Sequence, residues 1–237
     1  MTDSFEFTFI GGREENQDAV ADIENENHGL YIVADGLGGH RNGAMASQCI
    51  VTKLVQAWAS DSEWDTEKLL RNVRDANQAL LTLQQQTQSN AKSTLALLTT
   101  GGTKVLWACS GDSRIYRLRD GEIQQITEDH SVAYMKYKSG RISKAEIAKD
   151  EDQSSLLRTL GGKTRWEPDI YEDKLLPEDS FLLCSDGFWE YISDEEMLVD
   201  WLKASSAENW ARLMLQRIMP RVPADNDNLS VITIIRS

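Results

Sequence analysis

YIVADGLGGH, residues 31–40, sets a strand-like apolar run against an acid, three glycines and a histidine. The bland reading of Asp35-Gly36 is a hairpin turn, because Asp-Gly readily takes the left-handed angles of a two-residue turn. The chain supplies its own comparison at Asp120-Gly121, where RIYRLR and EIQQIT mix polar and apolar residues as a half-exposed hairpin does. At Asp35 the preceding LYIVA is continuously apolar, as in a strand covered on both faces, and GLGGHRNGA follows instead of a returning strand. The design recurs. FLLCSDGFW, residues 181–189, ends an apolar run in Asp186-Gly187, and VLWACSGDSR, residues 105–114, ends one in Gly111-Asp112. Three buried strands thus each deliver a carboxylate at or just past their ends. Where such ends meet, the acids repel one another unless a cation sits between them, and a metal ion is the obvious one.

The length of 237 residues suits one domain, 1–237, with one sizeable core. A formal net charge of −13 argues against nucleic acid as a partner, since affinity for a phosphate backbone rests on clustered Lys and Arg. The opening MTDSFEFTF lacks the basic and apolar regions of a leader, and no apolar run is long enough to span a bilayer, so no membrane association and a cytoplasmic location are expected. Cys49, Cys109 and Cys184 are odd in number and widely spaced, which indicates neither a disulfide framework nor a thiolate zinc site. They are expected as small buried apolar residues; strand alternation accounts for Cys184 better than a nucleophilic role does.

SFEFTF and LYIVAD read as strands that precede any helix, and the segments from Gly43 and from Asp65 carry apolar residues at helical spacing. STLALLTT, TKVLWACS and DSRIYRL, separated by glycine turns, predict an antiparallel meander. Residues 131–160 are polar and charge-rich, unlike their neighbours, and predict an inserted flap. Strands follow near 169–174 and 180–184, then a helix capped at Ser193 by SDEE, another near 207–219, and a closing strand LSVITII. Strands and helices come in blocks, which predicts an α+β fold.

Asp18, Asp35, Asp112, Asp186 and Asp227 all sit at strand ends or in loops, and hard cations such as Mg²⁺ and Mn²⁺ favour the carboxylate and carbonyl oxygens found there. Two such ions about 4 Å apart can share a carboxylate and hold a hydroxide for in-line attack on phosphorus. Zinc would favour His and Cys, and His28, His40 and His130 lack the paired spacing of a zinc site.

R-E-E-N-Q-D (13–18), A-D-G-L-G-G-H (34–40), S-G-D-S-R (110–114), T-E-D-H-S (127–131), S-D-G-F-W (185–189) and D-N-L-S-V (227–231) occur in that order. Together they resemble the metal-dependent protein phosphatases of the PPM, or type 2C, family in its compact bacterial form. The resemblance spans about residues 5 to 236 and implies a four-layer αββα sandwich: two antiparallel β-sheets flanked by helices, with the metal cleft at one end. It implies that Asp35 bridges two Mn²⁺ or Mg²⁺ ions while the Gly36 carbonyl binds the first, and that Asp186 and Asp227 bind the second. It also implies an outer role for Asp18 on metal-bound water, a weaker third ion held by Asp112 with Asp186, and phosphate binding by the planar fork of Arg13.

The implied function is phosphoserine/phosphothreonine protein phosphatase: hydroxide held by two metals attacks phosphorus directly, with no phosphoenzyme. The implied substrates are phosphoproteins made by an opposing serine/threonine kinase, and a monomer is expected. His40 is a general-acid candidate, although eukaryotic relatives have the histidine directly after Asp-Gly, where this chain has Leu37 with His40 three residues later; a structural hydrogen bond is its alternative. His130 is expected to brace a loop, Asp112 has a turn cap as its alternative, and Asp225 is kept as a loop residue. Lys136, Lys138, Arg141 and Lys144 of the flap either steer a phosphorylated segment or form a solvated helix face. Two rivals remain: a catalytically silent phosphoprotein-binding module of the same fold, and a nucleotide-binding module built on GLGGHRNG, which lacks the phosphate-loop lysine.

Overall fold

The computed structural model describes residues 2–25, 28–38, 41–162 and 166–236. In chain order the elements are β1 (Thr2–Phe9), β2 (Asp18–Glu24), β3 (His28–Leu37), α1 (Arg41–Ser60), α2 (Thr66–Thr87), β4 (Lys92–Ser93), β5 (Leu95–Gly101), β6 (Lys104–Ser110), β7 (Arg114–Arg119), β8 (Glu122–Gln125), α3 (Val132–Lys138), β9 (Asp169–Lys174), β10 (Ser180–Cys184), α4 (Asp186–Trp189), α5 (Asp194–Lys203), α6 (Ala207–Ile218) and β11 (Leu229–Arg236). One antiparallel sheet has the order β1-β11-β10-β7-β8, and the other has β2-β3-β5-β6-β9 with β4 against β3.

The continuous apolar run of β3 has its cause here. Leu30, Ile32 and Ala34 join Ile50 and Leu54 of α1 and Leu69 and Val73 of α2 on the helix side. Tyr31 and Val33 join Phe181, Leu183, Ile232 and Ile234 in the core between the sheets. In β10 the alternate residues Leu182 and Cys184 turn the other way, into a third core with Trp210 and Met214 of α6. Helices, sheet, sheet and helices therefore stack in four layers, and central strands must be apolar on both faces. Local signals set the helix starts: the Asp65 carboxylate accepts from the Lys68 N–H at 2.7 Å, and Ser193 and Glu196 cap each other reciprocally at the start of α5.

The expected three-strand meander is interrupted. β5 pairs with β6, but β7 leaves for the other sheet and pairs with β10. The transfer is made at Gly111, whose φ of +96° favours glycine and where a Cβ would lie 2.7 Å from Thr94 Cγ2. Pattern alone does not announce β2, which pairs with β3 and buries only the small side chains Ala19 and Ala21.

The flap at 131–160 contains α3 and a 3-10 turn, Lys144–Lys149, anchored through Ala133, Tyr134 and Ile147 in the third core. Of Lys136, Lys138, Arg141 and Lys144, three are ion-paired, and only Arg141 has no carboxylate partner among the described residues. Lys136 pairs with Asp150 and Asp152 at 2.8 and 2.9 Å, Lys138 with Glu128 at 2.6 Å, and Lys144 with Asp194 at 2.5 Å. Carboxylates this close cancel most of the field that steering would need, which corrects that reading of the flap.

Candidate active site

The β2–β3 register sets Asp18 directly opposite Asp35. Thr94 fixes the main chain at Asp35 from both directions: its hydroxyl accepts from the Asp35 N–H at 2.8 Å, and its own N–H donates to the Asp35 carbonyl at 2.8 Å. The same hydroxyl meets Ser113 Oγ at 2.7 Å, so the strand carrying Asp35 is tied to the turn carrying Asp112. Gly36 is required next to it, because a Cβ there would sit 2.0 Å from the Gly43 carbonyl oxygen.

Ser185 brings in the second group. Its hydroxyl donates to Asp18 Oδ2 at 2.8 Å and accepts from the Ser230 N–H at 3.0 Å, locking the end of β10 to β11 and to Asp18. Asp186 follows as the first residue of α4. A Cβ on Gly187 would lie 2.2 Å from the Asn228 carbonyl oxygen, so the loops carrying Asp186 and Asp227 touch at main-chain distance. Asp112, behind them, is 2 % exposed; its carbonyl accepts from Trp189 Nε1 at 3.0 Å, and the Arg114 guanidinium lies 3.4 Å from the centre of that ring. Arg114 is in turn held by Asp129, at 2.6 Å.

Asp35, Asp112, Asp186 and Asp227 line a cleft of about 660 Å³ with Arg13, Gly36 and, from the flap, Ser154 and Leu156, while Asp18 is buried next to Asp35 outside that lining. Withdrawal from bulk water, together with the charges of Asp18, Asp112 and Asp227, raises the Asp35 carboxyl well above its ordinary range. Asp186 is raised likewise by desolvation, then by Asp35, Asp112 and Glu190. Burial moves Asp18 to about 6 and Asp112 to about 7. Asp18 Oδ1 is buried with no hydrogen-bond donor. So many acids in one place, one with an orphaned oxygen, fit hard divalent cations, which supply the missing charge and accept all-oxygen ligands.

Asp35, Gly36, Asp186, Asp227, Asp18 and Asp112 are thus brought together as the sequence suggests. Arg13 reaches the same cleft, but its guanidinium lies across Asp227. His40 lies outside the described residues. Asp225 is not in the lining of the cleft. One residue escapes the sequence argument: Glu190, moved to about 7 by burial and the Asp227 charge, acts electrostatically on both Asp112 and Asp186, and its carboxylate accepts from Gln153 of the flap. The available signal was its spacing four residues after Asp186, one turn along the same helical segment.

His130 braces a loop as expected, and it belongs to a second cluster. The ligand atoms of Cys109, His130 and Asp169 all lie within 4.8 Å of one another. Both ring nitrogens are engaged, by the Gly111 N–H at 3.1 Å and by Asp169 at 2.9 Å, while Arg158 takes the other Asp169 oxygen at 2.5 Å. Burial pushes the Cys109 thiol up to about 12. This is a hydrogen-bonded brace with its polar valences filled, not a metal cradle.

Residues 10–216 match the family model described as protein phosphatase 2C. The serine/threonine phosphatase stp of Listeria welshimeri is 33% identical over 193 residues, covering 78% of this chain and 77% of its own. The S. agalactiae serine/threonine phosphatase structure superposes with a TM-score of 0.89 at 26% identity, over 100% of both chains. The catalytic domain of the serine threonine protein phosphatase PstP, solved in complex with two manganese ions, gives a TM-score of 0.86 at 28% identity, over 99% of this chain and 97% of that one.

Proposed function

Because this chain belongs to the protein phosphatase 2C family, we propose that it is a metal-dependent hydrolase of phosphoserine and phosphothreonine in proteins. The observation that carries this reading is the convergence of Asp35, Asp186 and Asp227 on one cleft, beside a buried Asp18 oxygen with no donor. Asp35 and the Gly36 carbonyl would hold one Mn²⁺ or Mg²⁺ ion, and Asp186 and Asp227, with Asp35 shared, a second; Asp112, Asp186 and Glu190 would form a weaker third position. Such ions, when bound, would activate a water as nucleophile toward phosphorus and neutralise charge on the phosphate oxygens.

The chain's own residues supply the remaining steps. Asp18, fixed by Ser185 and set opposite Asp35, keeps a buried oxygen free to accept a proton or hydrogen bond beside the metal ligands. Arg13 stands at the rim, where its planar fork can take two phosphate oxygens. A departing serine or threonine alkoxide needs a proton near neutral pH, and His40 is the candidate to provide it. Substrates are phosphoproteins made by an opposing serine/threonine kinase. The chain acts as a monomer and as one catalytic unit over 1–237; the pairing of β1 with β11 supports the single unit. The acid set is complete, which disfavours a silent binding module. Among the described residues no helix is long and apolar enough to cross a membrane.

The test is phosphate release from a phosphothreonine peptide by chelator-treated protein, with Mn²⁺, Mg²⁺ or nothing added back, for wild type and Asp186→Ala. Turnover that returns with metal and is lost in the variant supports the reading. Metal binding by folded wild type without any phosphate release overturns it.

A further inference from the structure

Behind Asp112 the turn that delivers it is gripped from outside the acid set. His130 and Gly111 bond reciprocally: the His130 N–H donates to the Gly111 carbonyl at 2.8 Å, and the Gly111 N–H donates to His130 Nδ1 at 3.1 Å. An N–H can only donate, so Nδ1 carries no proton and Nε2–H donates to Asp169 at 2.9 Å. Arg158 holds Asp169 from its other side. The His130 carbonyl accepts from the Leu157 N–H at 2.7 Å, and Ser131 bridges Leu156, so this residue also marks where the outgoing and returning chains of the flap meet. One residue therefore touches the flap base through its main chain, and β9 and the Gly111 N–H through its ring.

We infer that His130 is a positioning residue for Asp112, using Nδ1 to fix the Gly111-Asp112 turn and thereby the third, weakest cation position. The inference rests on the proposed role of Asp112 as a ligand at that position. Asp112 is restrained on its far side by the Thr94–Ser113 hydroxyl contact and by Trp189 Nε1, while on its near side Gly111, a permissive joint at positive φ, is held by His130. The bond to Asp169 does a separate job, setting the ring's tautomer and orientation as an outer partner does for a ligating group.

Two variants separate these jobs. In His130→Asn the Oδ1 atom stands where Nδ1 accepts, so the Gly111 bond survives while Asp169 goes out of reach. In His130→Gln the amide extends toward Asp169 and leaves the Gly111 N–H unmet. The experiment is a calorimetric Mn²⁺ titration of chelator-treated, full-length wild type and both variants without substrate, alongside kcat and KM on a phosphothreonine peptide at the Mn²⁺ concentration that just saturates wild type, and thermal melts. His130→Gln is expected to weaken the weakest Mn²⁺ step roughly 10- to 100-fold, with the tighter steps unmoved and kcat falling more than KM rises, whereas His130→Asn stays near wild type. Equal losses in both variants, a shift of every Mn²⁺ step in parallel with Tm, or a wild-type titration for His130→Gln overturns the inference. Wild type that takes up no Mn²⁺ and releases no phosphate removes the proposed function and this inference together. Normal wild type with an unaffected His130→Gln removes the inference alone.

Discussion

Arg13 grips Asp227 through both carboxylate oxygens, Nε to Oδ1 at 3.0 Å and Nη2 to Oδ2 at 2.8 Å, although the two residues are 214 positions apart. The fork that would recognise a phosphate dianion here neutralises an acid of the cleft, and that acid raises the guanidinium's own proton affinity. Roughly half of each side chain is open to solvent, so the pair itself adds at most about 1 kcal/mol to stability. Arg13→Lys keeps the charge and loses the second prong. It should lower kcat/KM on a phosphothreonine peptide by about tenfold, about 1.4 kcal/mol, with Tm nearly unchanged. An unaltered kcat/KM would remove Arg13 from phosphate recognition.

Gly187 is where two acid-bearing loops meet, its missing Cβ leaving room for the Asn228 carbonyl. In Gly187→Ala one loop must move, at a cost of about 1–3 kcal/mol and with Asp186 displaced relative to Asp227. Urea denaturation should show the stability loss and Mn²⁺ titration a weakened affinity. Full Mn²⁺ affinity in the variant would mean that the close approach of the loops does not set the ligand geometry.

Asp129 is fully enclosed and is the carboxylate partner of a nearly buried Arg114. Asp129→Ala strands that guanidinium, and breaking a buried pair from one side costs about 3–5 kcal/mol. Chemical denaturation should report a loss of that size. A loss below about 1 kcal/mol would show that Arg114 finds water or another partner, for instance through the ring of Trp189.

Metal-free protein should become less stable as pH rises from about 4 to about 7. Asp18 near 6, Asp112 near 7 and Glu190 near 7 are all raised above the ordinary carboxylate range. Between the unfolded and folded values the native state binds more protons, so unfolding free energy falls with increasing pH. Thermal melts in chelator at pH 5 and pH 8 should show the higher Tm at pH 5, and saturating Mn²⁺ should close the gap. Equal chelator Tm values at the two pH values would mean that the acids are better solvated than their enclosure indicates.

The two-faced apolarity of LYIVA and FLLC was legible because burial on both faces leaves no polar alternation to misread, and Asp35 and Asp186 stood out against that background. The strand β2 was not, since its buried residues are only the small Ala19 and Ala21, with Val20 and Ile23 half-buried beside them. The departure of β7 was hidden for a different reason: a glycine turn looks alike in sequence whether the next strand stays in its sheet or leaves it. Glu190 carries no strand-end signal, since it sits one helical turn past Asp186 instead. The flap lysines read as a basic patch because their acidic partners, Glu128, Asp150, Asp152 and Asp194, lie scattered along 67 positions of chain and meet only in three dimensions.

The placement of β11 between β1 and β10 gives the molecule a sense of time. During synthesis from the N-terminus, β1 and β10 emerge with the edges meant for β11 unpaired, and the acid set lacks Asp227 until the strand that follows it is made. Asp35 is translated early, yet no working cleft exists until residues 227–236 have been added and threaded into the middle of a sheet. Hydrolysis by a chain lacking β11 is therefore blocked by topology, and a protease that cuts between β10 and β11 would switch the enzyme off by opening the sheet, without touching any other acid.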